Sequence, residues 1–148
     1  MKVRDIMTLE VNSVQSTESI GNAAQAMADY DVGALPVLEG SNLVGIVTDR
    51  DIAVRAVAGG IDSESPVRLV MTDYVTTCSA ETEVEDALSL MGTKQIRRLP
   101  VCDEDGQLVG ILTLADAANR DPDKCEVGEA LDDICDQGGM HCQEPAFV

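Results

Sequence analysis

The hydrophobic positions in the first part of the chain follow two different periods. Val11 to Val14, Ala34 to Leu38 and Leu43 to Val47 are short apolar runs, which predict strands. Between the first two runs, Gln15 to Glu18 predicts a helix start and Asp31 to Gly33 predicts its end. The apolar positions at helical spacing in this segment are Ile20, Ala23, Ala24 and Met27.

A second helical pattern follows the third apolar run. Thr48 is expected to cap this helix, which continues through Ile52, Val54 and Val57. The pair Gly59-Gly60 then predicts its end. The predicted order is strand, helix, strand, strand, helix, which is a βαββα unit.

The same order of elements occurs a second time in the chain. A shift of 64 residues aligns Val3 to Leu38 with Val67 to Cys102, and 10 of the 36 positions are identical. A shift of 65 aligns Leu43 to Arg55 with Leu108 to Arg120, where 8 of 13 are identical. We infer a duplicated unit, with one extra residue in the second hairpin turn. The second copy is expected to have a helix at Val84 to Lys94, a hairpin over residues 99–112 and a last helix from Thr113 that ends at Asp121-Pro122.

These patterns predict an α/β (α+β) protein with three parts. Residues 1–64 and 65–121 are the two repeats, and residues 122–148 form an acidic tail that contains cysteines. Each repeat of about 60 residues would be only marginally stable alone, so the two are expected to share one core. The tail is expected to form an amphipathic helix that docks on the repeats or on a partner subunit and stops at Gly138-Gly139. Its apolar positions are Val127, Ala130, Leu131, Ile134 and Cys135.

Composition and charge narrow the classes of partner. The formal net charge is −17, which disfavours nucleic acids and anionic membranes as partners. No apolar run is long enough to span a membrane, and the first residues lack the apolar segment of a signal peptide. We therefore expect a cytosolic protein. With 2 Tyr, 1 Phe and no Trp, its core must be aliphatic.

One motif occurs in both repeats, as Gly-Ile-Val-Thr-Asp-Arg-Asp at Gly45 to Asp51 and as Gly-Ile-Leu-Thr-Leu-Ala-Asp at Gly110 to Asp116. A strand that runs into a helix start leaves backbone N–H groups unpaired, and an Asp there can accept hydrogen bonds from a ribose diol. The motif therefore suits a nucleotide. The same Thr-x-x-Asp spacing is also a capping box, in which the two side chains satisfy the first turn of the helix. Both interpretations stay open from the sequence.

The order Ile-Met-Thr, helix, Leu-Pro-Val and Gly-aliphatic-aliphatic-Thr-x-x-Asp, given twice, resembles a tandem pair of CBS domains, or Bateman module. The Thr48 to Ile52 run is similar to that of small stand-alone bacterial members of the hypoxic-response type. The resemblance implies two repeats packed about a pseudo-twofold axis, with two clefts for adenine nucleotides or adenosyl compounds. It also implies a homodimer.

Site residues follow from the resemblance, position by position. One cleft is expected to use Thr113 and Asp116 with residues of the first repeat, namely Thr8, Val11 and Asn12. The other is expected to use Thr48 and Asp51 with residues of the second repeat, namely Thr72, Val75 and Thr76.

Three arginines are candidates for holding a phosphate. Arg97 and Arg98 precede Leu-Pro-Val in the second repeat, where the family often has a basic residue, and Arg50 lies beside Asp51. The first repeat has Gly33-Ala34 at the place of the arginine pair. We therefore expect one cleft to be occupied, by AMP, ADP, ATP or a related adenosyl ligand.

The remaining reactive residues give no enzyme motif. Cys78 and Cys102 align with Val14 and Leu38, so they are expected to be small apolar core residues. The tail holds Cys125, Cys135, His141 and Cys142, without the Cys-x-x-Cys spacing of a zinc site. We expect no catalytic residue and no metal. Three hypotheses follow, namely a cytosolic energy or metabolite sensor with an unidentified protein partner, a ligand-free dimer that acts in protein interaction, and a redox or metal sensor that uses the tail.

Overall fold

The computed structural model describes residues 1–120 and 124–135. Its regular elements follow the predicted order, with a short 3₁₀ turn opening each repeat, at Val3–Asp5 and Val67–Leu69. The strands are β1 (Val14–Gln15), β2 (Ala34–Glu39), β3 (Asn42–Thr48), β4 (Arg98–Cys102) and β5 (Leu108–Thr113). The helices are α1 (Ile20–Tyr30), α2 (Asp49–Asp51), α3 (Val84–Lys94), α4 (Leu114–Arg120) and α5 (Lys124–Cys135). The α+β class with two βαββα repeats is confirmed.

Helix α1 begins later than the sequence predicted. Ser19 is its N-cap, and the Ser19 hydroxyl accepts a hydrogen bond from the Asn22 N–H at 3.0 Å. The predicted start at Gln15 to Glu18 is instead a separate turn, because the Gln15 N–H bonds to the Glu18 carboxylate at 3.0 Å. The predicted end is correct, since Asp31 adopts a left-handed conformation with φ of 52°.

The strands pair differently in the two repeats. In the first repeat, β1 lies parallel to β2 and β2 lies antiparallel to β3, which makes a sheet of three strands. In the second repeat, β4 and β5 form a sheet of two. A single parallel bridge between Cys78 and Val101 stands where the first repeat has β1. The hairpins predicted from the apolar runs are therefore confirmed, while the first predicted strand is reduced to two residues or to one bridge.

The helix predicted after Thr48 is only briefly an α-helix. After Asp49–Asp51 the chain continues as a π-helix over Ile52–Val57, with i→i+5 hydrogen bonds. One such bond joins the Ala58 N–H to the Ala53 carbonyl at 3.0 Å. The wider turn rotates the side chains away from the spacing of an α-helix. Val54 and Val57 are consequently 55% and 76% exposed, and of this segment only Ala56 is buried.

The buried residues belong to two compact units, and each unit contains the opening segment of the other repeat. Among the described residues, unit 1 comprises 1–10, 76–104, 109–120 and 124–135, and unit 2 comprises 11–75 and 105–108. Val3 and Ile6 thus pack with the apolar residues of the second repeat, and Val67 and Val70 pack with those of the first. The expectation that the two repeats share one core is corrected. The buried residues form two clusters, and each cluster contains the opening segment of the other repeat.

Helix α5 packs on α3 within unit 1. Ala130 and Ile134 are buried. Ala130 belongs to the cluster of buried residues that contains Val3 and Ile6, and Val127 packs against this cluster and is partly buried. The helices approach so closely that a Cβ added at Gly92 would lie 3.3 Å from the Ala130 Cα.

Two of the five predicted apolar positions of α5, Leu131 and Cys135, are exposed, so its apolar stripe is narrower than predicted. The predicted stop at Gly138-Gly139 lies outside the described residues. In the described part of the chain, no helix combines the length and the apolar character needed to cross a membrane.

Candidate functional site

In unit 2, the Thr48-x-x-Asp51 motif forms a complete capping box. The Thr48 hydroxyl accepts a hydrogen bond from the Asp51 N–H at 3.0 Å, and the Asp51 Oδ2 accepts one from the Thr48 N–H at 3.0 Å. The motif is thus a helix cap, as one of the two interpretations held. The cap uses only one carboxylate oxygen of Asp51.

In unit 1, the Thr113-x-x-Asp116 motif repeats this geometry. The Asp116 N–H bonds to the Thr113 hydroxyl, and the Thr113 N–H bonds to the Asp116 Oδ2, both at 3.0 Å. The Thr113 hydroxyl also donates to the same Oδ2 at 2.8 Å. The cap therefore uses the Oδ2 atom of the aspartate in both copies. The Oδ1 atom takes no part in the cap.

The two copies differ at Oδ1. The Asp116 Oδ1 lies 3.4 Å from the Thr8 hydroxyl, which is too long for a strong hydrogen bond. The Asp51 Oδ1 lies 3.7 Å from the Arg55 Nε. Among the described residues, the Thr72 hydroxyl makes no such bond to Asp51. The structure therefore brings Thr8 to Asp116 as expected, whereas Arg55 is the side chain that faces Asp51.

The first residue of each motif is a glycine because a segment from the opening of the other repeat pairs with the strand at this point. We call residues 6–8 and 70–72 the crossing segments. Thr72 pairs with Ile46 and Thr8 pairs with Ile111, each through a pair of backbone hydrogen bonds. A Cβ at Gly45 would lie 2.8 Å from the Thr72 carbonyl oxygen, and one at Gly110 would lie 3.0 Å from that of Thr8. A side chain at either position would force the crossing segment away from the site.

Arg55 and Arg120 hold these crossing segments in place. The Arg55 guanidinium donates to the carbonyls of Val70 at 3.3 Å and Met71 at 3.1 Å. The equivalent Arg120 donates to the Ile6 carbonyl at 3.2 Å. Sequence reasoning missed this role, although the two arginines are the last identical pair of the repeat alignment. That identity was the available signal.

Beside each motif, the residue after its threonine bonds to the residue that precedes β4 or β2, and we call this place the corner. The corner of unit 1 holds the positively charged Arg97, and that of unit 2 holds the negatively charged Asp49. In unit 1, the Leu114 N–H bonds to the Arg97 carbonyl at 3.3 Å, and in unit 2 the Asp49 N–H bonds to the Gly33 carbonyl at 3.0 Å. These bonds identify the two corners as equivalent. Arg97 is exposed and Arg98 is half-buried. Within residues 1–120 and 124–135, neither guanidinium makes a hydrogen bond or an ion pair.

We name the two groups of residues by their carboxylates. The Asp116 site, in unit 1, comprises Thr8, Arg97, Arg98, Thr113, Asp116 and Arg120. The Asp51 site, in unit 2, comprises Thr48, Asp49, Arg50, Asp51, Arg55 and Thr72. Arg50 is exposed in the latter, and its N–H bonds to the Asp49 carboxylate at 2.8 Å.

The other residues expected in the clefts lie near the boundaries of the units. Val11 and Asn12 belong to unit 2, and Thr76 belongs to unit 1. Val75 follows the Thr72 segment in unit 2 and is half-buried, as are Val11 and Thr76, whereas Asn12 is exposed.

The cysteines in unit 1 are partly buried thiols. Burial, followed by the neighbouring Cys102, raises the pKa of Cys78 to about 11, and burial raises the pKa of Cys102. Both thiols are therefore largely protonated at neutral pH. Of the candidate ligands in the tail, the structure describes the side chain of Cys135, which is exposed. The side chains of Cys125, His141 and Cys142 lie outside the described residues.

Comparison with known proteins identifies the family. The CBS domain family matches residues 3–57 and 67–123. The chain belongs to this family. Among its relatives, the CBS domain-containing protein YhcV of Bacillus subtilis is 42% identical over 135 residues, which are 91% of this chain and 96% of that protein. Hypoxic response protein 1 of Mycobacterium tuberculosis is 37% identical over 122 residues, which are 81% of this chain and 85% of that protein.

Solved structures of the family show the same fold. The crystal structure of Hypoxic Response Protein I with two coordinated zinc ions has a TM-score of 0.73 and 36% identity, and covers 80% of this chain and 98% of that chain. CBSX2 in complex with AMP has a TM-score of 0.70 and 30% identity, with coverage of 80% and 93%. The CBS pair of MJ0100, in complex with 5′-methylthioadenosine and S-adenosyl-L-methionine, has a TM-score of 0.71 and 28% identity, with coverage of 80% and 94%.

Paired CBS domains commonly bind adenosyl ligands and act as regulatory sensors. The zinc-bound relative raises the question of metal binding in this chain. Among the described residues, no group of three or more His, Cys, Asp and Glu side chains is placed to hold a metal ion.

Proposed function

We propose that the protein is a non-catalytic cytosolic sensor that binds a phosphorylated adenosyl ligand, such as AMP, ADP or ATP, at the Asp116 site. In this proposal the Asp116 Oδ1 and the Thr113 hydroxyl bind the ribose, and Arg97 and Arg98 bind the phosphate. Thr8 borders the ligand.

The observation that carries the proposal is the pairing state of these groups. The Asp116 carboxylate has one oxygen committed to the cap and one held only by a 3.4 Å contact with Thr8. Arg97 and Arg98 have no partner within the described residues, and a guanidinium binds phosphate through two parallel hydrogen bonds. At the Asp51 site, the second carboxylate oxygen already faces Arg55. This difference supports occupation of the Asp116 site by the phosphorylated ligand.

Thermal unfolding of the nucleotide-free protein tests the proposal. A ligand at a hundred times its dissociation constant stabilises the folded state by about 2.7 kcal/mol. We expect the melting temperature to rise by roughly 5 to 10 °C with at least one of AMP, ADP and ATP. The Arg97→Ala, Arg98→Ala double variant should lose most of that rise, while Arg68→Ala, an exposed arginine in unit 2, should keep it. No rise with any adenosyl compound contradicts the proposal.

A second candidate function, protein interaction through a homodimer, is favoured by an apolar surface on unit 2. Val54 and Val57 on the π-helix are exposed, and so are Leu69 and Tyr74, at 56% and 83%. The positions equivalent to Val54, Leu69 and Tyr74 in the other repeat are Asn119, Asp5 and Glu10. Because the fold does not require apolar residues there, we propose that this surface contacts a second copy of the chain.

Light scattering after gel filtration tests the dimer. Val54→Asp places a charge in the proposed interface, so we expect it to shift the protein from dimer to monomer. Asn119→Asp adds the same charge at the equivalent position of the other repeat and should leave the mass unchanged. A wild-type monomer, or a Val54→Asp dimer as stable as the wild type, contradicts the proposed surface.

A further inference from the structure

Helix α5 covers a face of α3 whose equivalent in the other repeat is exposed. Leu88 and Gly92 lie on this face and are buried. Their equivalents on α1, at a shift of 64 residues, are Ala24 and Ala28, and both are exposed. The repeat therefore folds without a cover at this face, and in unit 1 the apolar Leu88 makes the face suitable for a helix. We call this face the α3 surface, and its residues are Glu85, Asp86, Leu88, Ser89 and Gly92.

Helix α5 holds to the α3 surface through few apolar contacts. Of the α5 side chains that the structure describes, only Ala130 and Ile134 are buried. An open groove of about 320 Å³ remains between the two helices. At Gly92, a Cβ would lie 2.8 Å from the Asp133 Oδ2, so α5 places a carboxylate against an apolar part of the surface. The α3 surface is thus occupied by a helix that does not fill it.

The groove is lined by carboxylates from both helices. Glu85 and Asp86 come from α3, and Glu129 and Asp133 come from α5. In the described part of the chain, none of these four carboxylates makes a hydrogen bond or an ion pair. Like charges that face each other across a helix interface repel and weaken the docking of α5. A helix with lysine or arginine at the places of Glu129 and Asp133 would bring the opposite charge to the same surface.

We propose that the α3 surface is a docking site for a basic amphipathic helix of another protein, and that α5 covers this surface until that helix displaces it. The partner helix carries a small and an aliphatic residue at the places of Ala130 and Ile134, because the backbones approach closely over Gly92. It carries basic residues at the places of Glu129 and Asp133. The Asp116 site is not part of this surface, so the inference goes beyond the proposed sensor function and does not depend on it.

Fluorescence anisotropy of labelled peptides, titrated with the full chain, tests the docking. The probe is a synthetic peptide with the sequence of residues 124–135, in which both cysteines are replaced by serine and the changes Glu129→Lys and Asp133→Lys are made. We expect the basic peptide to bind at least about tenfold more tightly than the same peptide with the two acidic residues retained. A scrambled peptide of the same composition should bind at least about tenfold more weakly than the basic peptide, because it lacks the apolar stripe.

Two variants of the full chain test whether α5 competes with the peptide. Ile134→Ser removes the larger buried anchor of α5 and should tighten binding of the basic peptide by about tenfold, because it weakens a competitor of high effective concentration. Leu131→Ser, at an exposed position of the same helix, is the control and should leave peptide binding unchanged. The double variant Glu129→Lys, Asp133→Lys gives α5 the complementary charge and should weaken peptide binding by about tenfold.

A further pair of variants tests the charge of the α3 surface. The double variant Glu85→Gln, Asp86→Asn should weaken binding of the basic peptide by about tenfold. The double variant Glu64→Gln, Asp73→Asn removes the same charge from exposed positions of unit 2 and should leave binding unchanged.

Three outcomes overturn the inference. In the first, the basic peptide binds neither the wild type nor Ile134→Ser. In the second, the basic peptide and its scrambled form bind equally, which shows attraction to the net charge of −17 alone. In the third, the peptide binds with no response to the α3 and α5 variants, and therefore binds elsewhere. None of these results changes the thermal test of nucleotide binding, so the inference and the proposed function fail separately.

Discussion

Units 1 and 2 contain the same capping box, but the charged groups around it differ. In both, a threonine and an aspartate three residues later satisfy the first turn of a helix, with hydrogen bonds of 3.0 Å. The second oxygen of the aspartate faces the Thr8 hydroxyl in unit 1 and the Arg55 guanidinium in unit 2. The corner beside it holds Arg97 in one unit and Asp49 in the other.

The comparison separates what the motif does for the fold from what it does for binding. Because the cap is complete in both units, Thr-x-x-Asp is needed for the helix start whether or not a ligand is present. The charges around it are not part of the cap and differ between the units. Binding of a phosphorylated ligand should therefore follow Arg97 and Arg98, while stability should follow the cap and the glycine that precedes it.

The largest expected effect is on stability, at the two equivalent glycines. Gly45→Ala places a Cβ 2.6 Å from the Met71 Sδ and 2.8 Å from a backbone oxygen, and should lower the free energy of unfolding by about 2 to 3 kcal/mol. Gly110→Ala has contacts of 2.8 and 3.0 Å and should cost about 1 to 2 kcal/mol. Urea unfolding measures both.

Gly128 on α5 provides the control for this pair. A Cβ there meets no atom within 4 Å, so Gly128→Ala should stabilise the helix by about 0.5 to 1 kcal/mol. If Gly45→Ala were as stable as the wild type, the crossing segment would not lie against this strand as described.

Next in size is the loss of ligand binding at the two equivalent carboxylates. Asp116→Ala should weaken AMP binding by about 1 to 3 kcal/mol, because it removes the acceptor for the ribose. Asp51→Ala should leave AMP binding unchanged. The two variants lose the same cap, so they should be destabilised about equally, by about 1 kcal/mol. Equal loss of AMP affinity in both would show that the sites are not distinguished in the way we propose.

A smaller effect is expected at the arginines that hold the crossing segments. Arg55→Met loses bonds to two carbonyls and the contact with Asp51, and should cost about 1 to 2 kcal/mol of unfolding free energy. Arg120→Met loses a bond to one carbonyl and should cost about 1 kcal/mol or less. Chemical denaturation of both variants provides the test. A larger cost for Arg120→Met would reverse this order.

The smallest effect is expected at Cys78, whose equivalent in unit 2 is Val14. Because burial raises the pKa of the Cys78 thiol to about 11, the folded state favours the protonated thiol. Its contribution to stability is fully present below the unfolded value of 9.0 and is lost as the pH rises through about 11. Cys78→Val should behave like the wild type at pH 7 and lose less stability between pH 9 and 11. Thermal melts across this range provide the measurement, and a large loss at pH 7 would contradict it.

The reactivity of the thiols gives an independent check. At pH 8 a pKa of about 11 leaves Cys78 with a thiolate fraction on the order of 0.001. Iodoacetamide should therefore modify the exposed Cys135 before Cys78 and Cys102, with mass spectrometry of the peptides as the measurement. Rapid modification of Cys78 would show that its thiol is not buried.

Much of this protein can be predicted from the sequence, because repetition doubles each local signal. The limits of helix α3, the two hairpins, the caps at Thr48 and Thr113 and the family itself follow from apolar spacing and from the motif given twice. Local rules were less successful where tertiary contacts decide the outcome. Helix α1 begins at Ile20 because the turn before it closes on itself, and the segment after Asp51 widens into a π-helix.

What only the tertiary structure decided is how distant segments meet around the two motifs. The sequence placed Thr8 beside Asp116 by resemblance, but it could not show that Arg55 faces Asp51, because that geometry depends on the wider turn and on the Val70 and Met71 carbonyls. Nor could it show that the Asp49 carboxylate covers Gly33, since the two residues are joined by pairing between β2 and the end of β3. Apolar spacing along the chain is a local property and determines the elements. The charge around a site arises from residues far apart in sequence and depends on how the elements pack.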